Sequence, residues 1–283
     1  MKTNWTGERL ETFINNETTI EHLHRYAVAM NFVKEKIVLD IASGEGYGSN
    51  ILSYSAKIVK GVDIDQSAVE NANKRYKKSN LEFTKGSTSN IPFKDNYFDI
   101  VVSYETIEHH NEHIKMMEEI KRVLKPEGIL IISSPDKLNY SDRKNYKNRF
   151  HVKELYIEEF KHLINSYFNI ADFYLQKSTF ASILVAENTP NDFVEYSGDF
   201  NSIKLNQDFQ PHYILAIASD FSIPKLNVST FTDNHFIGRN ESQIGLIYRQ
   251  SWSYKIGKFI LSPISYVKRV YERFKEIAIS ASK

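Results

Sequence analysis

The sequence of 283 residues contains no cysteine, which excludes disulfide bonds and metal sites built from thiolates. No apolar stretch approaches the ~18 residues that span a bilayer, and the first thirty residues lack the basic-then-apolar order of a signal peptide. Neither sign of charge dominates, because 36 Lys and Arg oppose 35 Asp and Glu and leave a net charge of +1. We therefore expect a cytoplasmic protein without an extended nucleic-acid partner.

Apolar segments rich in β-forming residues alternate with polar segments of helical periodicity over residues 37–220. This alternation predicts an α/β fold with a mostly parallel, seven-stranded sheet and helices on both faces. A chain of this length can build one large core with additions. The predicted strands are 37–42, 58–64, 81–85, 98–103, 128–134, 169–176 and 213–219.

The segments around these strands divide the chain into three parts. Residues 1–36 are expected to form an N-terminal helical lid, and residues 37–220 the main domain. Residues 177–210 lack steady periodicity and predict an insertion before the last strand. The remaining residues, 221–283, form a C-terminal extension. The predicted helices are 20–32, 67–78 capped by Ser67, 112–124 and 153–167.

The tail, residues 248–279, mixes aromatic, aliphatic and basic side chains with only two acids. A basic amphipathic helix of this kind can lie on a membrane surface, which predicts a peripheral position at the inner face of the membrane. The same pattern also suits a helix that closes the domain or packs on a partner protein. The sequence leaves these alternatives open.

The stretch VLDIASGEGYGS, residues 38–49, runs from an apolar strand into three glycines and then a helix. Glycines in this context let the backbone turn sharply and approach a ligand, while the helix N-terminus presents free N–H groups. Asp63 ends the second predicted strand, a position from which a carboxylate can accept hydrogen bonds from ribose hydroxyls. Asp40 would repel a pyrophosphate and suits the ammonium group of a zwitterionic ligand.

Three further stretches follow in order: GVDID (61–65), GSTSNIPFKDNYFDIVVS (86–103) and RVLKPEGILIISSP (122–135). With the glycine loop they resemble the class I S-adenosylmethionine-dependent methyltransferases. The resemblance implies a Rossmann-like fold and S-adenosylmethionine as cofactor, with a methionine end, a ribose end and an adenine end in the site. The cofactor-binding residues that it implies are Asp40, Ala42, Gly44, Gly46, Asp63, Ile64, Ser87, Thr88 and Glu105.

The stretch YETIEHHNEH, residues 104–113, follows the fourth predicted strand. In a helical turn Glu105, Glu108 and His109 would share a face and could hold a divalent metal, with magnesium or manganese favoured by the carboxylates and zinc or iron by the histidine. The E-x-x-E-H pattern resembles that of the small-RNA terminal 2′-O-methyltransferases and the ubiquinone-pathway O-methyltransferases, which implies such a metal. We expect His151 to supply a fourth ligand, because its loop borders the same edge of the sheet.

Alternatives to metal binding remain for these residues. Glu105 could simply contact the methionine end of the cofactor. His109, His110 or His151 could act as a general base for an acceptor hydroxyl, since imidazole titrates near neutral pH.

The stretches EHLHRYA (21–27), SSPDKLNY (133–140) and NRFHVKEL (148–155) resemble methyltransferases of bacterial surface polysaccharides and other glycans. This resemblance implies O-methylation of a sugar, nucleotide sugar or glycan. It also implies that His24, Arg25 and Tyr26 belong to the lid, and that the acceptor pocket contains Asn139, Tyr140, Phe150 and His151. Two alternatives are an N-methyltransferase for an amino sugar or glycan-linked amino acid, and a non-catalytic assembly partner. The oligomeric state stays open.

Overall fold

The computed structural model describes residues 17–178, 182–188, 195–198, 203–206 and 209–232, with only the backbone of 195–198 and 203–206. The chain divides into two compact units, Met1–Thr232 and Asp233–Lys283. The predicted amphipathic tail and part of the predicted insertion lie outside the described residues, so both stay predictions. Within the described ranges, every helix is too short or too polar to cross a bilayer.

The described elements follow one another in α/β order. The helices are α1 (Glu17–Ala29), α2 (Tyr47–Leu52), α3 (Gln66–Arg75), α4 (His113–Val123) and α5 (Ile157–Asn165), with a 3₁₀ turn at Ile107–His109 and a π-helical turn at Leu138–Asp142. The strands are β1 (Ile37–Ile41), β2 (Ile58–Asp63), β3 (Leu81–Lys85), β4 (Phe98–Ser103), β5 (Leu124–Pro135), β6 (Ile170–Ser178), β7 (Ser182–Ala186), β8 (Glu195–Gly198), β9 (Ile203–Asn206), β10 (Tyr213–Ser219) and β11 (Ser229–Phe231).

The main sheet has nine strands in the order β11-β7-β6-β10-β5-β4-β1-β2-β3, and β8 and β9 form a separate pair. Strands β3, β2, β1, β4 and β5 are parallel neighbours, whereas β10, β6, β7 and β11 continue the sheet through antiparallel pairs. The predicted seven-stranded, mostly parallel sheet is therefore wrong in strand number and orientation. A connection as short as the one between β6 and β7 can join only antiparallel neighbours. Strand β7 therefore belongs to the sheet, although its residues were predicted as part of the insertion.

Helices cover both faces of this sheet, as the strand pattern predicts. Successive side chains of a strand point to opposite faces: Leu39 and Ile41 of β1 belong to the core under α4 and α5, whereas Val38 belongs to the core under α1, α2 and α3. Strands buried on both faces read as continuous apolar runs. That continuity made the central strands predictable.

Two local predictions require correction. Asp65, rather than Ser67, caps α3, because the Asp65 carboxylate accepts a hydrogen bond from the Ser67 N–H at 2.8 Å. Helix α1, predicted as part of a lid, is packed more deeply than a lid over an open site would be, since His24 and Arg25 are 2% and 1% exposed. Both side chains point into the fold instead of toward solvent.

Strand order reverses beside β1, since the chain proceeds from β1 to β2 and β3 on one side and through β4 and β5 on the other. Turns that leave the carboxyl ends of β1 and β4 therefore diverge. In open α/β sheets such a reversal creates the crevice in which ligands bind.

Candidate active site

A cavity of about 620 Å³ opens at the carboxyl ends of β1, β2 and β4. Most of the residues predicted for the site line it. They are Ala42, Gly44, Asp63, Ile64, Ser87, Thr88, Glu105, Glu108, His109, His110 and His151. Asp40 and Gly46 were also expected at the ligand, but both are buried behind the cavity wall.

The turn after β1 depends on backbone conformations with positive φ. Ala42 has a φ of 60°, Gly44 of 51° and Gly46 of 79°. A Cβ at Gly46 would lie 2.6 Å from the Phe83 ring, so glycine there allows the loop to pack against β3. Gly46 thus shapes the turn, and Gly44 is the glycine that faces the cavity.

Asp63 fixes the glycine loop to the end of β2. Its Oδ2 accepts a hydrogen bond from the Gly44 N–H at 2.8 Å, and its Oδ1 accepts one from the Asp65 N–H at 2.9 Å. Hydrogen bonds of this kind to an ionised carboxylate are short and strong. They hold the carboxylate at the cavity wall in a position from which it can also accept from the hydroxyls of a ribose.

Asp40 lies beneath the same loop. The Ser49 hydroxyl donates to it at 2.6 Å and the Tyr26 hydroxyl at 3.3 Å. Burial raises the pKa of Asp40 to about 7, against the opposing effect of these two hydrogen bonds. Because Asp40 is absent from the cavity wall, it supports the loop and acts on a ligand only through its neighbours.

Three of the implied cofactor-binding residues, Ile64, Ser87 and Thr88, lie along the cavity wall beyond Asp63. Ile64 is 68% exposed there, and Ser87 and Thr88 line the same cavity. The Thr88 hydroxyl lies 3.3 Å from Nε2 of His110, which places His110 on this side. Burial lowers the pKa of His110 and keeps its imidazole neutral near pH 7. His113, the last residue of the stretch YETIEHHNEH, is only 5% exposed.

Glu105 departs from the predicted helical turn. Its φ is 48°, and the 3₁₀ turn begins only at Ile107. The Ser133 hydroxyl donates to its carboxylate at 2.7 Å, and Nη1 of the buried Arg25 lies 3.6 Å from the same oxygen. Glu105 is therefore held from behind the cavity wall and does not join the expected metal group.

Glu108, His109 and His151 form the group that the structure assembles. One ligand atom from each lies within 4.8 Å of the others. Glu108 is 1% exposed, and its Oε2 has no hydrogen-bond partner among the described residues. Burial raises the pKa of Glu108 well above its ordinary value, and the charge of Glu105 raises it further. An unpartnered carboxylate oxygen in this setting calls for a cation or a donor from a ligand.

Residues 137–153, here called the acceptor loop, bring His151 to this group. The carbonyl of Glu108 accepts from the N–H groups of Val152 at 2.8 Å and Lys153 at 3.0 Å. Nδ1 of His151 lies 2.5 Å from Glu154, and its Nε2 lies 2.9 Å from the Asn148 amide. The predicted proximity of His151 to His109 is confirmed, since their ring centroids are 5.2 Å apart.

The donor set fits a divalent cation. Glu108 offers one carboxylate and His109 one imidazole, and His151 would add a second imidazole if a metal replaced the Asn148 amide at its Nε2. Magnesium and manganese were favoured when two carboxylates were expected, but with Glu105 engaged elsewhere the balance moves toward metals that accept imidazole. A bound ion would lower the pKa of an acceptor hydroxyl beside it.

Sequence reasoning missed the network behind Glu105. Arg25 of α1 donates to Gln176 of β6 at 2.8 Å, and its guanidinium lies 4.7 Å from the centre of the Tyr213 ring. Tyr213 lines the cavity from β10. The sequence signal was Arg25 itself, a cation within an apolar-periodic helix. Of the residues expected around the acceptor, Tyr140 and Phe150 line the cavity, but Asn139 instead binds Asp136 at 2.6 Å.

The central part of the chain is similar in sequence to known proteins. Residues 39–132 match the family model described as a methyltransferase domain. A probable S-adenosylmethionine-dependent methyltransferase of Mycolicibacterium smegmatis is 32% identical over 130 residues, which cover 46% of this chain and 50% of that protein. The phthiotriol/phenolphthiotriol dimycocerosates methyltransferase of Mycobacterium tuberculosis is 30% identical over 115 residues, 40% of this chain and 42% of its own length. The chain thus spans about half the length of the curated relatives it matches.

Solved structures extend the likeness to the fold. A methyltransferase from Archaeoglobus fulgidus superposes with a TM-score of 0.53 at 16% identity, covering 71% of this chain and 93% of its own. A possible histamine N-methyltransferase from Thermotoga maritima gives 0.52 at 20% identity, with 71% and 90% covered. At these identities the likeness concerns the fold alone.

The strand order and the glycine loop with Asp63 give the chain a Rossmann-like fold, as expected. Residues 39–132 are similar to the methyltransferase-domain family. The finer resemblance to glycan-modifying enzymes stays a prediction.

Proposed function

We propose that this protein is a methyltransferase that moves the methyl group of S-adenosylmethionine to a hydroxyl group of a sugar or glycan. One observation carries the proposal. A single cavity joins the glycine loop and Asp63 at one end to Glu108, His109 and His151 at the other. Cofactor and acceptor can therefore meet without a change of fold.

The cofactor end presents groups suited to each part of the ligand. Asp63 would accept from the ribose hydroxyls, while Ile64 and Thr88 would contact the adenine. Glu105 lies beside the methionine end, where its carboxylate favours a positively charged ligand. When bound, the cofactor supplies an electrophilic methyl group on a sulfonium, so much of the rate can come from alignment of the acceptor with it.

The acceptor end supplies the proton chemistry that a hydroxyl requires. As the new oxygen–carbon bond forms and the sulfur–carbon bond breaks, the hydroxyl proton has to leave. His109 is one acceptor for that proton, since neutral imidazole is matched to general-base catalysis near pH 7. A divalent ion held by Glu108, His109 and His151 would give the same assistance by lowering the pKa of the hydroxyl.

The remaining wall suits a sugar. Tyr140, Tyr146 and Phe150 offer aromatic faces, and Asn148 offers an amide between them. Rings of this kind can stack on the apolar face of a sugar, while amide and hydroxyl groups bind its hydroxyls.

An amine acceptor is the second candidate. The unpartnered Oε2 of Glu108 could accept a hydrogen bond from an amino group. An amine acceptor has only to bind in its uncharged form, and it does not need a metal to lower its pKa. A non-catalytic role in an assembly has less support, because the acceptor end carries groups that a mere cofactor-binding site does not use.

Calorimetry with S-adenosylhomocysteine, followed by release of that product from S-adenosylmethionine over a panel of sugars, amino sugars and nucleotide sugars, tests the proposal. We expect binding of the product and turnover with a hydroxyl acceptor that falls after treatment with EDTA. Turnover with amino sugars alone, unchanged by EDTA, would favour the N-methyltransferase. Binding without turnover on any acceptor would favour the assembly role, and absence of binding would end the whole proposal.

Membrane contact through residues 248–279 remains a separate proposal that rests on sequence. Truncation after Tyr248 should abolish sedimentation of the protein with anionic liposomes and leave cofactor affinity intact. Full-length protein that stays in the supernatant would contradict it.

A further inference from the structure

The cavity lining is acidic, whereas the acceptor loop that borders it is basic. Five acids line it, Glu45, Asp63, Glu105, Glu108 and Glu112, and no Lys or Arg is among the described lining residues. An anionic ligand placed wholly inside would therefore meet repulsion.

The acceptor loop has the opposite charge. Residues 137–153 carry six Lys and Arg against one acid, a net of +5 in a chain whose total is +1. This positively charged loop borders the cavity, because it contributes Tyr140, Tyr146, Asn148, Phe150 and His151 to the wall.

Three of the six cations contact residues away from Asn148, and the charge of a fourth, Lys153, acts on His113. Lys137 lies 4.8 Å from the centre of the Tyr156 ring. Arg143 donates to Asn139 at 2.8 Å. Lys144 lies 3.4 Å from His212.

Lys147 and Arg149 are exposed on either side of Asn148. The Arg149 guanidinium lies 4.5 Å from the centre of the Phe150 ring, which itself lines the cavity. The Asn148 amide reaches His151 at 2.9 Å. Arg149 thus stacks on a ring of the cavity wall, and Lys147 lies in sequence between two lining residues, Tyr146 and Asn148.

We propose that Lys147 and Arg149 bind an anionic group of the acceptor, a phosphate or diphosphate, which stays at the mouth while the hydroxyl enters the cavity. The inference rests on the proposed function and narrows its substrate class to phosphorylated acceptors. Arg and Lys are the side chains that bind phosphate oxygens with charge-assisted hydrogen bonds. A phosphate at this place avoids the acids inside.

Binding of inorganic pyrophosphate to the full chain saturated with S-adenosylhomocysteine tests the proposal. The double variant K147Q/R149Q should bind pyrophosphate at least ~10-fold more weakly than the wild type. The matched control K34Q/K57Q removes the same charge from exposed lysines at the amino ends of β1 and β2, and it should bind as the wild type does. Equal weakening in both variants would reduce the effect to general electrostatics and overturn the proposal.

The source of the phosphate is distinguished by two further probes. Uridine diphosphate represents a soluble acceptor, and phosphatidylglycerol vesicles compared with phosphatidylcholine vesicles represent a lipid headgroup. Selective loss of either interaction in K147Q/R149Q supports the inference and identifies the source. Product binding in the wild type with no binding of pyrophosphate, diphosphate or vesicles would overturn the inference alone, whereas failure to bind S-adenosylhomocysteine would overturn the proposed function beneath it.

Discussion

The cofactor end and the acceptor end of the cavity are built in different ways. The cofactor end is built around residues 42–49 and 63–65, short stretches that directly follow two neighbouring strands, and the Asp63 carboxylate accepts a backbone N–H hydrogen bond from each of them. The acceptor end joins α1, the segment after β4, the acceptor loop and Tyr213 of β10, which meet only in the folded chain. A site for a cofactor common to a family can be encoded locally, whereas a site for one acceptor depends on long-range packing.

The largest expected effect concerns Asp40 at the cofactor end, in protein without ligand. Its pKa in the folded state is about 7 against an ordinary value of 3.8, so the protonated form stabilises the fold. That contribution is complete below pH 3.8 and is lost as the pH rises through 7. Between these values the wild type should lose roughly 4 kcal/mol of unfolding free energy relative to Asp40→Asn.

Urea unfolding at several pH values measures this difference directly. Other titrating groups, such as His24, are present in both proteins and cancel in the comparison. Parallel pH profiles for the two proteins would show that Asp40 is not the buried acid on which the glycine loop rests.

Substitution of Arg25 tests how strongly α1 is held to the rest of the acceptor end. Arg25→Met removes the cation beside Glu105 and leaves Gln176 without its donor. Loss of one partner of a buried ion pair costs about 3 kcal/mol of unfolding free energy. The exposed Lys34→Met change should cost almost nothing. Thermal and urea unfolding check both, and a similar small loss in the two variants would contradict the role of Arg25 in holding α1 to the sheet.

Substitution of Asp63 tests the cofactor end by its effect on ligand affinity. Asp63→Ala removes an acceptor for ribose and two hydrogen bonds that hold the glycine loop. Affinity for S-adenosylhomocysteine should fall ~100-fold, as expected for lost hydrogen bonds to a charged group. Calorimetry against the exposed Glu127→Ala variant measures it. Affinity that survives in Asp63→Ala would mean that the ribose binds elsewhere.

The smallest effect is expected for Glu108. Glu108→Gln keeps the shape of the side chain but removes its charge, so affinity for Zn²⁺ should fall ~10-fold, while affinity for S-adenosylhomocysteine stays within ~3-fold. The exposed Glu118→Gln variant on α4 is the control. If cofactor affinity fell as much as metal affinity, the two ends of the cavity would not be independent.

Much of the fold follows from the sequence. Apolar or alternating segments predicted β1 through β4 within one residue, and β10 was predicted with its observed bounds. The antiparallel extension by β7 and β11 was not predicted, because short edge strands carry few apolar residues and their pairing partners are distant in sequence. The cap of α3 was misplaced for a local reason, since Asp65 and Ser67 are both good N-cap residues.

The sequence alone determined the glycine loop, Asp63 and the two-sided core, because strand periodicity and turn chemistry act between residues that are near one another in the chain. Only the tertiary structure decided that Glu105 pairs with Arg25, that Glu108 and His109 meet His151, and that Asp40 lies behind the wall. Burial and partner choice at these positions depend on which distant elements pack together, and side-chain charges respond to that environment instead of to their neighbours in sequence.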